Sequence, residues 1–149
     1  MSFDLHSFDL HSLAPIAIAA GFFVFMRIGL PRLMAWGVPF ANPQTLKDLM
    51  DGGRDVVVID VRTPGEYSGD LGHIPGALNL GYSELSNALK ENGAALAAYQ
   101  DAPVFVTCRT QNRSPRAAKL LKNAGLNNVQ ILNGGMARWK REGLPRETR

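Results

Sequence analysis

Three apolar runs of strand length constrain this chain more than anything else in it. Val56–Asp60, Val104–Thr107 and Val129–Leu132 are short and rich in β-branched residues. Runs without polar alternation suit strands buried on both faces. Helical patterns separate them. Asn42-Pro43 reads as an N-cap followed by proline at the first helical position, Leu46, Leu49 and Met50 give an apolar face, and Gly52-Gly53 ends the helix. Ala77–Leu80 is a shorter strand candidate, followed by short helices over Ser83–Leu89 and Ala94–Tyr99. Ser114-Pro115 again reads as N-cap plus first-turn proline, opening a helix through Ala117, Ala118, Leu120 and Leu121 to Gly125. Met136–Glu142 is a closing helix. This alternation predicts an α/β fold with a parallel central sheet flanked by helices. The 149 residues suffice for one domain with a real core, not two, and 46% apolar against 19% charged residues is a globular balance.

One connection carries chemistry. The strand Val104–Thr107 runs straight into Cys108, then Arg109, Thr110, Gln111, Asn112 and Arg113, before the helix at Ser114. A thiol at the C-terminal end of a parallel strand lies where α/β sheets bind ligands. The loop's backbone N–H groups can converge on one point, and the next helix presents its positive end there. Arg109 and Arg113 add two permanent charges. All three effects stabilise a thiolate and an anionic ligand, the setting of a nucleophilic cysteine. The charge distribution agrees: residues 41–102 carry net −5 and residues 103–149 net +8. The total of +3 and a pI near 9.3 do not argue for nucleic acid.

A single cysteine excludes an internal disulfide framework and any structural zinc site needing two thiolates. Neither a metal nor another cofactor is expected. The bland reading of Cys108 is a buried core thiol, which its polar, Arg-rich loop disfavours. A Cys–His dyad is limited to His73, whose setting, Gly72 to Gly76, is that of a structural turn. Met136 and Trp139 are expected to pack, and Gly134-Gly135 to form a tight turn.

The N-terminal part differs in kind. Residues 1–12 form a polar tail containing a direct five-residue repeat, Ser2–His6 and Ser7–His11. Leu13–Met26 holds no charge; Arg27 interrupts, and the apolar run resumes to Leu30. Eighteen helical residues span roughly 27 Å against a hydrocarbon core of about 30 Å, a match if Arg27 snorkels to the interface. Residues 13–38 are therefore expected to form a membrane anchor and linker, with residues 13–30 in the bilayer. Arg27 and Arg32 follow the run and Asp4 and Asp9 precede it, so the positive-inside rule places the rest in the cytoplasm. A cleaved signal peptide is disfavoured by the acidic start. A buried or partner-docking helix, in a soluble cytoplasmic protein, is the alternative.

Four stretches resemble the signatures of rhodanese-domain sulfurtransferases. They are Val58–Arg62 with Pro64–Tyr67, Gly72–Ala77, the Cys108–Ser114 loop, and Leu132–Gly135 with Trp139 and Gly143–Pro145. Together they cover about residues 41–146, and their order is that of the family. The resemblance implies a rhodanese-like three-layer fold, preceded here by the hydrophobic helix. It also implies a reaction: the cysteine takes sulfane sulfur from thiosulfate or a persulfide donor and passes it to cyanide, a thiol or a sulfur-carrier protein. Cys108 would be the nucleophile. Arg109, Thr110, Gln111, Asn112, Arg113 and Ser114 would bind the substrate. Asp60, Arg62 and Glu66 would tie the first strand's loop near the site, or form a surface salt-bridge network.

Two departures stand out. The family often has glycine where this chain has Gln111, which would cost about 1–2 kcal/mol if φ had to be positive. The spacer Ser68–Leu71 looks longer than usual. Two rival functions remain. One is a non-catalytic module that uses the basic site to hold an anionic partner. The other is a cysteine phosphatase or arsenate reductase. Cysteine phosphatases, including the related dual-specificity group, place five residues between Cys and Arg where this chain has four.

Overall fold

The computed structural model describes residues 10–92 and 97–148. Its centre is a five-stranded, all-parallel sheet in the order β1-β5-β4-β2-β3, made of β1 (Phe40–Ala41), β2 (Val57–Asp60), β3 (Leu78–Asn79), β4 (Val104–Thr107) and β5 (Val129–Leu132). The three apolar runs form β2, β4 and β5, as their composition predicts. Ala77–Leu80 contributes only Leu78–Asn79. β1 was not anticipated; two residues are too few for a periodic signal, and it sits at the join between linker and domain.

Helices cover both faces, giving three layers. α3 (Pro43–Asp51), α4 (Pro64–Tyr67), α5 (Tyr82–Asn92), α6 (Ser114–Asn123) and α7 (Gly135–Arg141) connect or follow the strands. The helix expected at Ala94–Tyr99 falls partly outside the described residues; 97–99 form a 3₁₀ turn. Two apolar clusters fill the layers. One joins Ile59, Val104, Val106 and Cys108 to Ala117, Ala118 and Leu121 of α6. The other joins Val58, Phe105 and Leu132 to Leu46 of α3 and to Met136 and Trp139 of α7. Successive strand residues face opposite layers, so Cys108 falls in register with Val104 and Val106, on the α6 side. Trp139 and Met136 pack as expected, the indole N–H bonding Pro145 O at 2.8 Å.

A helix precedes the sheet. α1 (Leu10–Val24) passes through a π turn, Phe25–Gly29, into α2 (Leu30–Met34). Pro31 explains the π turn. It has no N–H and its ring crowds the carbonyl four residues back, and the Leu30 N–H reaches Phe25 O, five residues back. The run Ala14–Met34 has 21 residues, mean hydropathy 1.7 and only 6% of its most apolar window buried. Ile16, Ile18, Phe22 and Phe23 are each more than 60% exposed. At roughly 31 Å this helix is long and apolar enough to cross a bilayer. It is not a core helix of this chain. Among the described residues only its domain end is seated: Pro31 and Ala35 are buried, and α2 packs on α6. Residues 1–9 of the polar tail, with most of its repeat, lie outside the described residues.

Candidate active site

Strand order places the site. From β2 the chain moves outward to β3, then returns to lay β4 on the other side of β2. The C-terminal ends of β2 and β4 therefore flank the point where the order reverses, the usual ligand crevice of an open parallel sheet. Asp60 pairs in register with Thr107, and the next residue after Thr107 is Cys108.

The Cys108 loop is shaped from beneath by α7. Met136 N–H bonds Cys108 O at 2.9 Å and Ala137 N–H bonds Arg109 O at 2.9 Å. In a trans peptide, C=O and N–H point opposite ways. Drawing these two carbonyls toward α7 therefore turns the Arg109 and Thr110 N–H groups to the loop's other side. Among the described residues, the backbone N–H groups of Arg109 to Arg113 have no protein acceptor. They form a set of donors available to an anion.

The residue that permits this packing is Gly135. It has φ +57°, and a Cβ there would lie 2.3 Å from Thr110 O and 2.4 Å from Cys108 O. Gly134-Gly135 does form the expected tight turn, but its larger role, bringing the loop onto α7, was missed. The only sequence signal was a glycine pair just before a helix.

Cys108 is buried beneath the loop. Its Sγ donates to Ser114 Oγ at 3.5 Å, and Ser114 is fully buried. This corrects the reading of Ser114 as an N-cap. The N-cap of α6 is Arg113, in helical geometry and without a side-chain cap bond; Ser114 is the first helical residue. Its hydroxyl is turned to the sulfur instead, and a hydroxyl can rotate to donate to a thiolate.

Gln111 requires a second correction. Among the described residues, no non-glycine residue has positive φ, so the anticipated strain is absent. Its Oε1 accepts from Gly134 N–H at 3.2 Å, tying the loop to the turn before α7. Asn112 and Arg109 are exposed, and Thr110 is half-buried. Arg109 borders a cleft of about 550 Å³ with Glu66, Asp70 and Lys140. The Ser68–Leu71 spacer supplies Gly69, Asp70 and Leu71 to its wall.

Arg113 is not a free cation. Its Nη1 and Nη2 each meet a Glu66 oxygen at 2.7 Å. The Arg113 side-chain hydrogen bonds hold the Glu66 carboxyl down at about 2, against the opposing effect of burial, with the Thr63 N–H helping. The same partner raises Arg113 above its usual value. Glu66 also closes a capping box with Thr63 at the start of α4.

Asp60 and Arg62 are fully buried, so they are not part of a surface network. Arg62 Nε bonds both Asp60 oxygens, at 2.9 and 3.0 Å, and Nη2 bonds Asp60 Oδ2 at 2.6 Å. The remaining donors hold the Glu66 carbonyl at 2.8 Å and the Gly72 carbonyl at 2.7 Å. The pair thus fixes the segment that carries Glu66. His73 is held elsewhere: its ring stacks on Tyr67 at 3.7 Å, Nδ1 lies 3.2 Å from Tyr67 O and Nε2 3.4 Å from Glu147. It is a structural residue of the turn.

A cysteine at a strand end of an α/β protein, under a short loop of unengaged N–H groups, is an arrangement that can serve nucleophilic or anion-binding chemistry. The Rhodanese-like domain model matches residues 42–142, and the chain belongs to that family. It is 35% identical over 107 residues to the thiosulfate sulfurtransferase GlpE of Ectopseudomonas mendocina, spanning 72% of this chain and 88% of that one. It is also 35% identical over 105 residues to the probable adenylyltransferase/sulfurtransferase MoeZ of Mycobacterium tuberculosis, there covering 70% of this chain but only a quarter (25%) of the relative. The human single-domain sulfurtransferase TSTD1 superposes with a TM-score of 0.60 at 29% identity, over 71% of this chain and 98% of the other. Membership brings the sulfurtransferase class at family level.

Proposed function

We propose that this chain is a membrane-tethered sulfurtransferase that carries sulfane sulfur as a persulfide on Cys108. The thiolate would attack the outer sulfur of thiosulfate. The S–S bond of the donor breaks, a new S–S bond forms on Cys108, and sulfite leaves with the bonding pair. Cyanide or a thiol, including that of a sulfur-carrier protein, then takes the outer sulfur and regenerates the thiolate. The Arg109–Arg113 N–H groups would hold the persulfide and the departing sulfite, with Arg109 beside them. Thr110, Gln111 and Asn112 would shape the loop, and the Ser114 hydroxyl would steady the thiolate. Asp60 and Arg62 would act as frame, and Glu66 would position Arg113.

One observation carries this reading: Cys108 is the floor of a loop whose backbone donors have no protein acceptor among the described residues. A ring of four intervening residues also suits a sulfur substituent better than a phosphoryl group with three oxygens, which disfavours the phosphatase and arsenate reductase readings. In this proposal residues 13–38 are the tether, with 13–30 in the bilayer, and residues 41–146 the catalytic unit on the cytoplasmic side.

The test is the intact mass of the full chain, in neutral detergent, after thiosulfate treatment. The expected result is a gain of one sulfur atom, reversed by cyanide and absent in Cys108→Ser. No gain, with Cys108 still readily alkylated, would point to another donor. No gain with an unreactive Cys108 would leave the non-catalytic anion-binding module.

A further inference from the structure

A second cleft, of about 470 Å³, lies between the domain end of the apolar helix and the outer side of the active-site loop. Arg27 and Arg32 line it from the helix, and Arg138, Arg141 and Glu142 line it from α7 and its end. Glu142 is the only carboxylate among the lining residues, and Arg138 already engages it at 2.6 Å. Arg27 and Arg32 lie over the Phe23 and Phe40 rings and, among the described residues, have no acidic partner. Guanidinium groups gathered this way repel one another unless an anion stands between them. Their planar donor pairs match the oxygens of a phosphate.

The location narrows the anion. Arg27 interrupts the apolar run Ala14–Met34 seven residues before its domain end, a depth from which its long side chain can snorkel to the phosphate layer, and Arg32 follows about one and a half turns later. The same cleft is bordered by Thr110, Gln111 and Asn112. We propose that it binds the phosphate of an anionic phospholipid headgroup, clamping the domain so that residues 110–112 face the membrane surface. This rests on the reading of the helix as a membrane anchor. It would limit donors and acceptors to those that can enter along the bilayer or from the Glu66–Asp70 side.

The full chain is reconstituted in phosphatidylcholine vesicles with or without phosphatidylglycerol. Flotation after an alkaline wash reports the anchor. Hydrogen exchange over 110–112 and 134–141, and the lipids retained on extraction, report the cleft. The expected result is flotation in both lipids, with slower exchange and phosphatidylglycerol enrichment only when that lipid is present. Arg138→Gln/Arg141→Gln should float normally and lose about thirtyfold of the enrichment; Arg141→Gln alone, at an exposed residue, should lose about fivefold if the double variant misfolds. Equal enrichment in these variants overturns the proposal. So does the same loss in Arg54→Gln/Lys90→Gln, which removes two exposed charges elsewhere. Equal protection by inorganic phosphate in pure phosphatidylcholine overturns the lipid assignment in favour of a free anion. Failure to float overturns the anchor reading, and the headgroup site with it.

Discussion

Two loops leave neighbouring strands side by side, and they are opposites. At the end of β2 and the start of the next segment the charged groups are bonded: Asp60 to Arg62, Arg62 to two carbonyls, Glu66 to Thr63 and Arg113. The loop after β4 has its carbonyls drawn down to α7 and its N–H groups left over. The residues of that loop are exposed or half-buried, so water can meet these donors until an anion replaces it. The contrast separates two jobs. The first loop uses its polar groups to hold itself in place; in the proposed reaction the second would offer its backbone donors to the substrate. Changes in the first should therefore act on stability, and changes in the second on chemistry.

The largest effect tests the first half of that contrast. Arg62→Ala leaves the Asp60 carboxylate buried without its counter-ion and frees the Glu66 and Gly72 carbonyls. Removing one partner of a buried ion pair costs about 3–5 kcal/mol. Denaturant unfolding should show a loss of that size, while the fraction that stays folded still takes up sulfur at Cys108. A loss under about 1 kcal/mol would mean that the first loop is not a frame.

Gly135→Ala tests the second half. An alanine needs φ +57° and must displace two loop carbonyls that lie within 2.4 Å of its Cβ. The conformational part costs about 1–2 kcal/mol. The Cys108 and Thr110 carbonyls should shift, and the Arg109 and Gln111 N–H groups that share their peptide planes should shift with them. Removing a single oxyanion donor commonly lowers turnover by about 10²–10³. Sulfur transfer should fall by a factor in that range, with a smaller stability loss than for Arg62→Ala. Unchanged kinetics would show that α7 does not set the loop.

What could be read in the sequence follows from range. β2, β4 and β5 were legible because each is a continuous run of β-branched residues, and the Cys108–Ser114 loop because its parts are contiguous. β1 was not, being two residues paired with Ile131 and Leu132 some ninety positions on. The sequence shows Gly135 only as part of a turn, because its contact with Thr110 and Cys108 depends on how α7 docks. The sequence shows the permanent charge of Arg113 but not its partner, because Glu66 stands 47 residues earlier. Spacing reveals a loop's own chemistry, but not what another segment folds back to neutralise. Ser114 was assigned the capping role its type favours, whereas burial beside Cys108 gives its hydroxyl a different partner.

The Glu66–Arg113 pair joins the two loops, and it carries the smallest of the expected effects. Glu66 is held at about 2 in the folded chain, below its ordinary value near 4.5. A depressed carboxyl stabilises the fold fully above the unfolded value and loses that contribution as pH falls toward the folded one. Glu66→Gln removes the charge but keeps an oxygen for the Thr63 N–H, since glutamine also serves in a capping box. Wild type should therefore exceed Glu66→Gln in stability at pH 6.5 and lose the advantage between about pH 4.5 and 2. The pair is partly exposed, with side-chain accessibilities of 27% and 42%, so solvent screening limits the difference to about 1 kcal/mol at most. The variant should also bind thiosulfate more tightly at neutral pH, because Arg113 would face the loop uncompensated. If stability changed with pH as predicted but thiosulfate affinity did not, the pair would brace the two loops mechanically without setting the charge at the site.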